Sequence, residues 1–168
     1  MIPLLLAATI AGPPAASVVA CSRRIEGGRP VSESLPADVE IGTVRFTGLR
    51  WAGTARARDL MPPAGKRWRL WKAAPVVAAG RAVTVVVTPS DRPHLRVSWA
   101  GGDGWAVRFQ PCPPSTRAFS YSGIVGPYTA FTGGFLVDGP GCRHLEVWIQ
   151  GRARPLRRTV SFGEGRCG

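Results

Sequence analysis

An all-β chain is predicted, folded as an antiparallel β-sandwich with an immunoglobulin-like arrangement among the forms open to it. Three observations predict it. Short segments whose apolar residues alternate with polar ones recur from Ile41 onward, and clusters of Gly, Pro and Asp separate them. No segment sustains a helical period. At 168 residues the chain suits one domain with a substantial core, and 45% hydrophobic residues argue against disorder despite 21 Gly and 16 Pro.

The first stretch, Met1 to Ala20, carries no charged side chain. The apolar run Ile2 to Ala11, the small residues Ala15 and Ala16, and Val18-Val19-Ala20 before Cys21 read as an export signal lacking its positive n-region. Pro13 and Pro14 make it a poor membrane span, which needs about 20 uninterrupted apolar residues. Val18-Val19-Ala20-Cys21 also resembles a bacterial lipobox, making Cys21 a lipidation candidate. Cysteine parity favours the alternative: four cysteines can form two bridges, with Cys21 pairing Cys167, whereas a lipidated Cys21 leaves an odd thiol. Residues 21–40 are rich in polar and breaker residues and read as a linker, with the domain spanning 41–168.

Within that domain, Val83, Val85 and Val87 share one face, as do Leu95, Val97 and Trp99, then Trp105, Val107 and Phe109, then Leu145, Val147 and Ile149. Further strands are expected at Gly42 to Phe46, Arg67 to Lys72, Ala118 to Ser122, Thr129 to Val137 and Leu156 to Phe162. Helix is confined to a turn or two near Arg56 to Met61. A hairpin over Gly101 to Gly104 brings Trp99 and Trp105 near each other, and Gly133-Gly134 reads as a bulge or bend. Cys112 and Cys142 sit among Pro and Gly, with aromatic residues at short intervals between them, as in strands joined by tight turns and stapled by a disulfide.

The domain resembles a group of uncharacterised secreted proteins and lipoproteins of GC-rich Gram-positive bacteria. Val44-Arg45-Phe46 with Leu49 and Trp51, Val107 to Pro113, Phe131 with Gly133-Gly134-Phe135, Gly141-Cys142, and Leu145 to Trp148 carry the resemblance. It implies an extracytoplasmic β-domain with a bridge between Cys112 and Cys142, and it brings no activity.

Chemistry is mostly argued against. Cys142-Arg143-His144 lacks blue-copper spacing, since no Met follows and His94 is remote, so no metal and no cofactor is expected. Ser120 lacks the preceding glycine of a nucleophile elbow. Asp103, Asp138 and Glu146 share no evident face. A small hydrolase or transpeptidase-like enzyme would have to use His94 or His144, the latter type with a free thiol, and Cys167 is the sole candidate.

Binding fits better. The net charge is +12, and all but two of the 22 basic residues are arginine. Arg152, Arg154, Arg157 and Arg158 cluster at a hairpin between the last two strands, with Trp148 nearby. The function expected is an extracytoplasmic, non-catalytic binding or structural module of the cell envelope. It would be secreted or anchored to the outer face of the membrane, with an anionic envelope polymer or membrane surface as partner and no specific nucleic acid.

Overall fold

The computed structural model describes residues 12–26, 33–120 and 122–167. It is an all-β, sandwich-like fold of three sheets. In chain order the strands are β1 (Ser17–Val19), β2 (Arg24–Ile25), β3 (Val39–Ile41), β4 (Val44–Phe46), β5 (Arg69–Lys72), β6 (Pro75–Ala78) and β7 (Val83–Val87). They continue with β8 (Leu95–Trp99), β9 (Gly102–Gly104), β10 (Ala106–Phe109), β11 (Tyr128–Phe131), β12 (Gly133–Val137), β13 (Gly141–Ile149) and β14 (Leu156–Phe162).

The first sheet has the order β1-β10-β7-β13-β14, the second β2-β11-β6-β4-β3 and the third β5-β12-β8-β9. The second and third are two halves of one bent layer. β5 runs into β6 and β11 into β12, while β5 pairs with β12 and β6 with β11. The bend is made at Gly133, whose φ of +126° and close neighbours exclude a side chain. A Cβ there would lie 2.1 Å from the Ser98 carbonyl oxygen. The expected bend at Gly133-Gly134 is therefore present, and it divides the expected strand Thr129 to Val137 between two sheets.

Six aromatic side chains fill the space between the layers. Trp99 meets Phe46, Phe109 and Phe135, Phe109 meets Phe131, and Phe135 meets Phe162, with ring centroids 4.9–5.8 Å apart. Each such pair adds about 0.5–1.5 kcal/mol beyond the area it buries. Trp99 satisfies its buried indole N–H by donating to the Ala73 carbonyl at 3.0 Å, at the β5–β6 bend. The valines of β7 and the alternating faces of β8, β10 and β13 supply the rest of the core, as their period requires.

Several expectations need correction. The bridges are Cys21–Cys112 and Cys142–Cys167, and no bridge joins Cys112 to Cys142 or Cys21 to Cys167. The cause is β1, which lies parallel beside β10 with Val19 opposite Phe109, so the residues just past each strand meet. Cys167 is brought back to β13 by the turn after β14, where Gly163 and Gly165 N–H groups donate to the carbonyls of Ala52 and Gly53. The sulfur of Cys21 is thus occupied, which excludes its lipidation in this state.

The domain also begins earlier than residue 41. Val19 is buried in the core, and Arg24–Ile25 pair with β11. Glu26 accepts hydrogen bonds from the backbone N–H groups of Phe119 and Ser120, at 2.7 and 2.8 Å, and from Arg24. The expected linker is therefore integrated at both ends, with 27–32 outside the described residues. Most of the proposed export signal, 1–11, also lies outside them, while Ser17–Val19 belong to the sheet.

The stretch Ala118 to Ser122 forms no strand; Arg117 makes an isolated bridge to Ile124, and Tyr121 lies outside the described residues. The hairpin turn sits at Ala100-Gly101, both with positive φ, so Trp99 faces Gly102 in the buried core while Trp105 lies under Arg92 and Arg96 at the surface. Helix forms near Arg56 to Met61 as expected, at α1 (Ala57–Leu60), but the described residues add 3-10 turns outside that stretch, at Cys21–Arg23, Leu49–Thr54 and Pro89–Asp91.

Candidate anion-binding face and histidine cleft

β13 and β14 pair antiparallel from Gly141 opposite Phe162 to Val147 opposite Leu156, and their connection carries Arg152 and Arg154. Arg157 and Arg158 are both exposed on the edge strand β14 and, as successive residues of a strand, point to opposite faces, Arg157 with Glu146 and Arg158 with the buried Leu145, while Val160 and Phe162 farther along are buried. Arg157 reaches Glu146, its cross-strand neighbour, at 3.1 Å. Among the described residues no carboxylate lies within ion-pair distance of Arg152, Arg154 or Arg158, so three guanidiniums on this hairpin face solvent without a counter-charge. Trp148, on the solvent side of β13 opposite Thr84, is half-buried, and its enclosed indole N–H has no hydrogen-bond partner among the described residues.

Midway along the same strand pair, opposite Thr159, stands His144. Its backbone N–H donates to Asp91 Oδ2 at 2.7 Å, its ring Nδ1 lies 2.9 Å from the same oxygen, and Thr88 Oγ1 donates to it at 3.0 Å. Burial works against a charge on Asp91. The bonds from His144 and Thr88 outweigh it and hold the carboxyl below the ordinary carboxylate range. An ionised carboxylate only accepts, so Nδ1 carries the proton, and Nε2 is the nitrogen left for a ligand.

Sequence reasoning missed Asp91. Its signal was Thr88-Pro89-Ser90-Asp91, a tight turn in which the Thr88 hydroxyl reaches the carboxylate three places on. A cleft of about 530 Å³ opens over His144, floored by β13 and walled by β14 and the Thr88–Ser90 segment.

The other candidates are not brought together. His94 Nδ1 pairs with Asp138 at 2.8 Å, and Asp138 also faces Arg143 at 3.7 Å. Asp103, Asp138 and Glu146 share no partner with one another. Ser120 donates its backbone N–H and its hydroxyl to Glu26, and no hydrogen bond among the described residues joins it to a histidine. All four cysteines are bridged, so the transpeptidase-like alternative lacks its thiol. No group of three or more His, Cys, Asp or Glu side chains able to hold a metal occurs among the described residues.

Two disulfides point to an oxidising, extracytoplasmic environment. No helix among the described residues is long and apolar enough to cross a membrane. Comparison with protein-family models, with characterised proteins and with solved structures finds no match to this chain.

Proposed function

We propose that this is an exported, non-catalytic module of the cell envelope that holds a phosphate-bearing anionic polymer along the β13–β14 hairpin. The observation that carries the reading is the set Arg152, Arg154, Arg157 and Arg158. All are exposed on one hairpin, and among the described residues only Arg157 is paired with a carboxylate. Guanidiniums in this setting engage phosphate oxygens through paired N–H donors.

A polymer is favoured over a membrane surface because stable membrane docking joins charge to inserted apolar side chains. Among the described residues no exposed large apolar side chain lies on the hairpin that carries the arginines; Trp51, Met61, Phe119 and Ile124 belong to other segments, Trp51 to the turn at the opposite end of β14. Export is supported by the bridges and by the uncharged N-terminal stretch. Removal of that stretch by cleavage would have to fall before Ser17, near Ala15 and Ala16, because a cut after Ala20 deletes β1 and the buried Val19.

The test compares two variants of the oxidised protein, the four arginines changed to Ser and both histidines changed to Ala. Each is assayed for binding to a soluble glycerol-phosphate polymer and to phosphatidylglycerol vesicles. Wild-type binding to the polymer should weaken on the order of 100-fold between ~50 and ~200 mM salt, if four phosphate contacts release counterions as on nucleic acids. The arginine variant should lose binding. Undiminished binding in that variant removes the reading, and a loss specific to vesicles transfers it to a membrane.

A further inference from the structure

The third sheet turns one face to solvent, and its register fixes which residues stand there. Leu95 and Val97 of β8 are buried, so Arg96 between them points outward, with Leu136 of β12 opposite it and Leu70 of β5 opposite Leu136. One step past the β8–β9 ladder, Trp105 comes opposite Arg96 on the same face. Arg92, from the turn before β8, closes on the same ring. Its Cζ lies 5.6 Å from the Trp105 ring centroid and that of Arg96 lies 5.7 Å from it, while the indole N–H donates to the Arg92 carbonyl at 3.3 Å.

Two guanidiniums held against one ring repel each other, and only a counter-charge relieves them. Among the described residues none is supplied. Asp91 is engaged by His144, Asp138 by His94 and Arg143, and Asp103, opposite Ser98 in the next row, makes no ion pair with either arginine. Both Nε atoms are enclosed without a hydrogen-bond partner among the described residues, so each cation is partly stripped of water and gains no bond in exchange. Arg24 shows how an arginine on an aromatic ring is closed when it serves the fold alone. Stacked on Phe119 at 4.6 Å, it spends its N–H groups on Glu26 and on the carbonyls of Cys21 and Arg117.

The pair also differs from the hairpin arginines, which are exposed, whereas Arg92 and Arg96 are half-buried and seated on Trp105, itself 46% exposed. A seated guanidinium loses less freedom when it binds. Two positive charges repel a metal ion, and a carboxylate brings one negative charge where two are wanting. A phosphate monoester carries about two at neutral pH, with three oxygens free to accept.

We propose that Arg92, Arg96 and Trp105 form a second anion site, separate from the hairpin, that takes a phosphate monoester. The outer N–H groups of the two guanidiniums donate to the phosphate oxygens, and Leu136 and Leu70 border the organic part of the ester.

The chain has six tryptophans, so the indole N–H signals of nitrogen-15-labelled protein report the site, and Trp105→Phe assigns the one concerned. Glycerol phosphate is titrated into the oxidised protein at slightly alkaline pH and constant ionic strength, with chloride as the control. The Trp105 signal should move saturably while the other five stay. Arg92→Ser and Arg96→Ser should each weaken the response about tenfold or more, the scale of one charge-assisted bond, with the five other signals reporting that the fold is kept. Arg96→Lys, which keeps the charge without the planar fork, should weaken it less. Dimethyl phosphate, a singly charged diester, should bind about tenfold more weakly than glycerol phosphate.

Changing the four hairpin arginines to Ser should leave the curve unaltered, so this site and the polymer reading stand or fall separately. No saturable shift, a shift common to all six signals, an unchanged response in both Ser variants, or a lost response in the hairpin variant overturns the site. Equal binding of dimethyl phosphate overturns the monoester as its ligand. Phosphatidic acid vesicles offer the same group from a membrane. If they alone move the Trp105 signal, the soluble ester is overturned and a lipid headgroup is the source.

Discussion

The first sheet ends in two unlike edges. On one side β1 contributes three residues, runs parallel to its neighbour, buries Val19 and is followed at once by the Cys21–Cys112 bridge. On the other side β14 contributes seven residues, runs antiparallel and bears Arg157 and Arg158. It is clipped only at its far end, where Cys142–Cys167 and the Leu49–Thr54 turn close it. An unprotected edge invites pairing with another chain, and proteins block it by covering it, shortening it or charging it. Here one edge is covered and stapled, and the other is charged. Charge protects without covering, so the β14 edge stays accessible to a ligand in a way the β1 edge cannot.

The comparison breaks first at the bridges. In the chain-entropy description, removing Cys21–Cys112, with a separation of 91 residues, costs about 4.6 kcal/mol, and removing Cys142–Cys167, with a separation of 25, costs about 3.5 kcal/mol. Paired Cys→Ser variants unfolded in urea should rank in that order. The reverse ranking would show that the charged edge, and not the stapled one, depends more on its covalent closure.

A smaller effect separates the side chains of the two edges. Val19→Ala should cost about 2 kcal/mol through lost burial and a residual cavity. Arg157→Ser, on the opposite edge, should cost about 0.5 kcal/mol or less, since its carboxylate partner is reached across solvent. Equal losses in thermal denaturation would mean that β14 is held by its arginines after all.

The smallest expected effect is in acid, where two carboxylates away from those edges, Glu26 after β2 and Asp91 against β13, should behave alike. Burial opposes charge on Glu26, but bonds from Ser120, Arg24 and Phe119 hold its carboxyl below the ordinary range, as those from His144 and Thr88 do for Asp91. A lowered folded pKa gives stability that is complete above the unfolded value. It is lost as pH falls through the folded one. Amide exchange at Ser120 and at His144 should therefore quicken together as pH drops below the usual carboxylate range. Glu26→Gln should abolish the first response and Asp91→Asn the second; an unaltered pH profile in either variant removes that carboxylate from the account.

Much of the sandwich was legible because two-residue periods are local. Val83 to Val87, Leu95 to Trp99 and Leu145 to Ile149 form strands whose predicted faces are the buried ones. Pro75–Ala78 gave no alternating signal, because a strand buried throughout reads as a plain apolar run. β1 was misread for a related reason: Ser17–Val19 is apolar enough to pass for part of an export signal, and nothing local reveals a parallel partner some 90 residues on. That misreading hid the partner of Cys112, which its setting and the resemblance had both assigned to Cys142. At the site, the arginine hairpin was visible as a cluster in sequence, whereas Asp91 and His144 are 53 residues apart and only the β7–β13 pairing brings them together.

The order of the bridges along the chain carries one more consequence. Numbered from the N-terminus, the first cysteine pairs with the second and the third with the fourth. In a polypeptide that emerges N-terminus first into an oxidising space, each native partner is the next thiol to arrive. Oxidation can then follow translocation directly, with no mispaired intermediate to reshuffle. In a chain delivered in that way Cys112 would be captured before Cys142 appears, which would remove the competing pairing in time as well as in space.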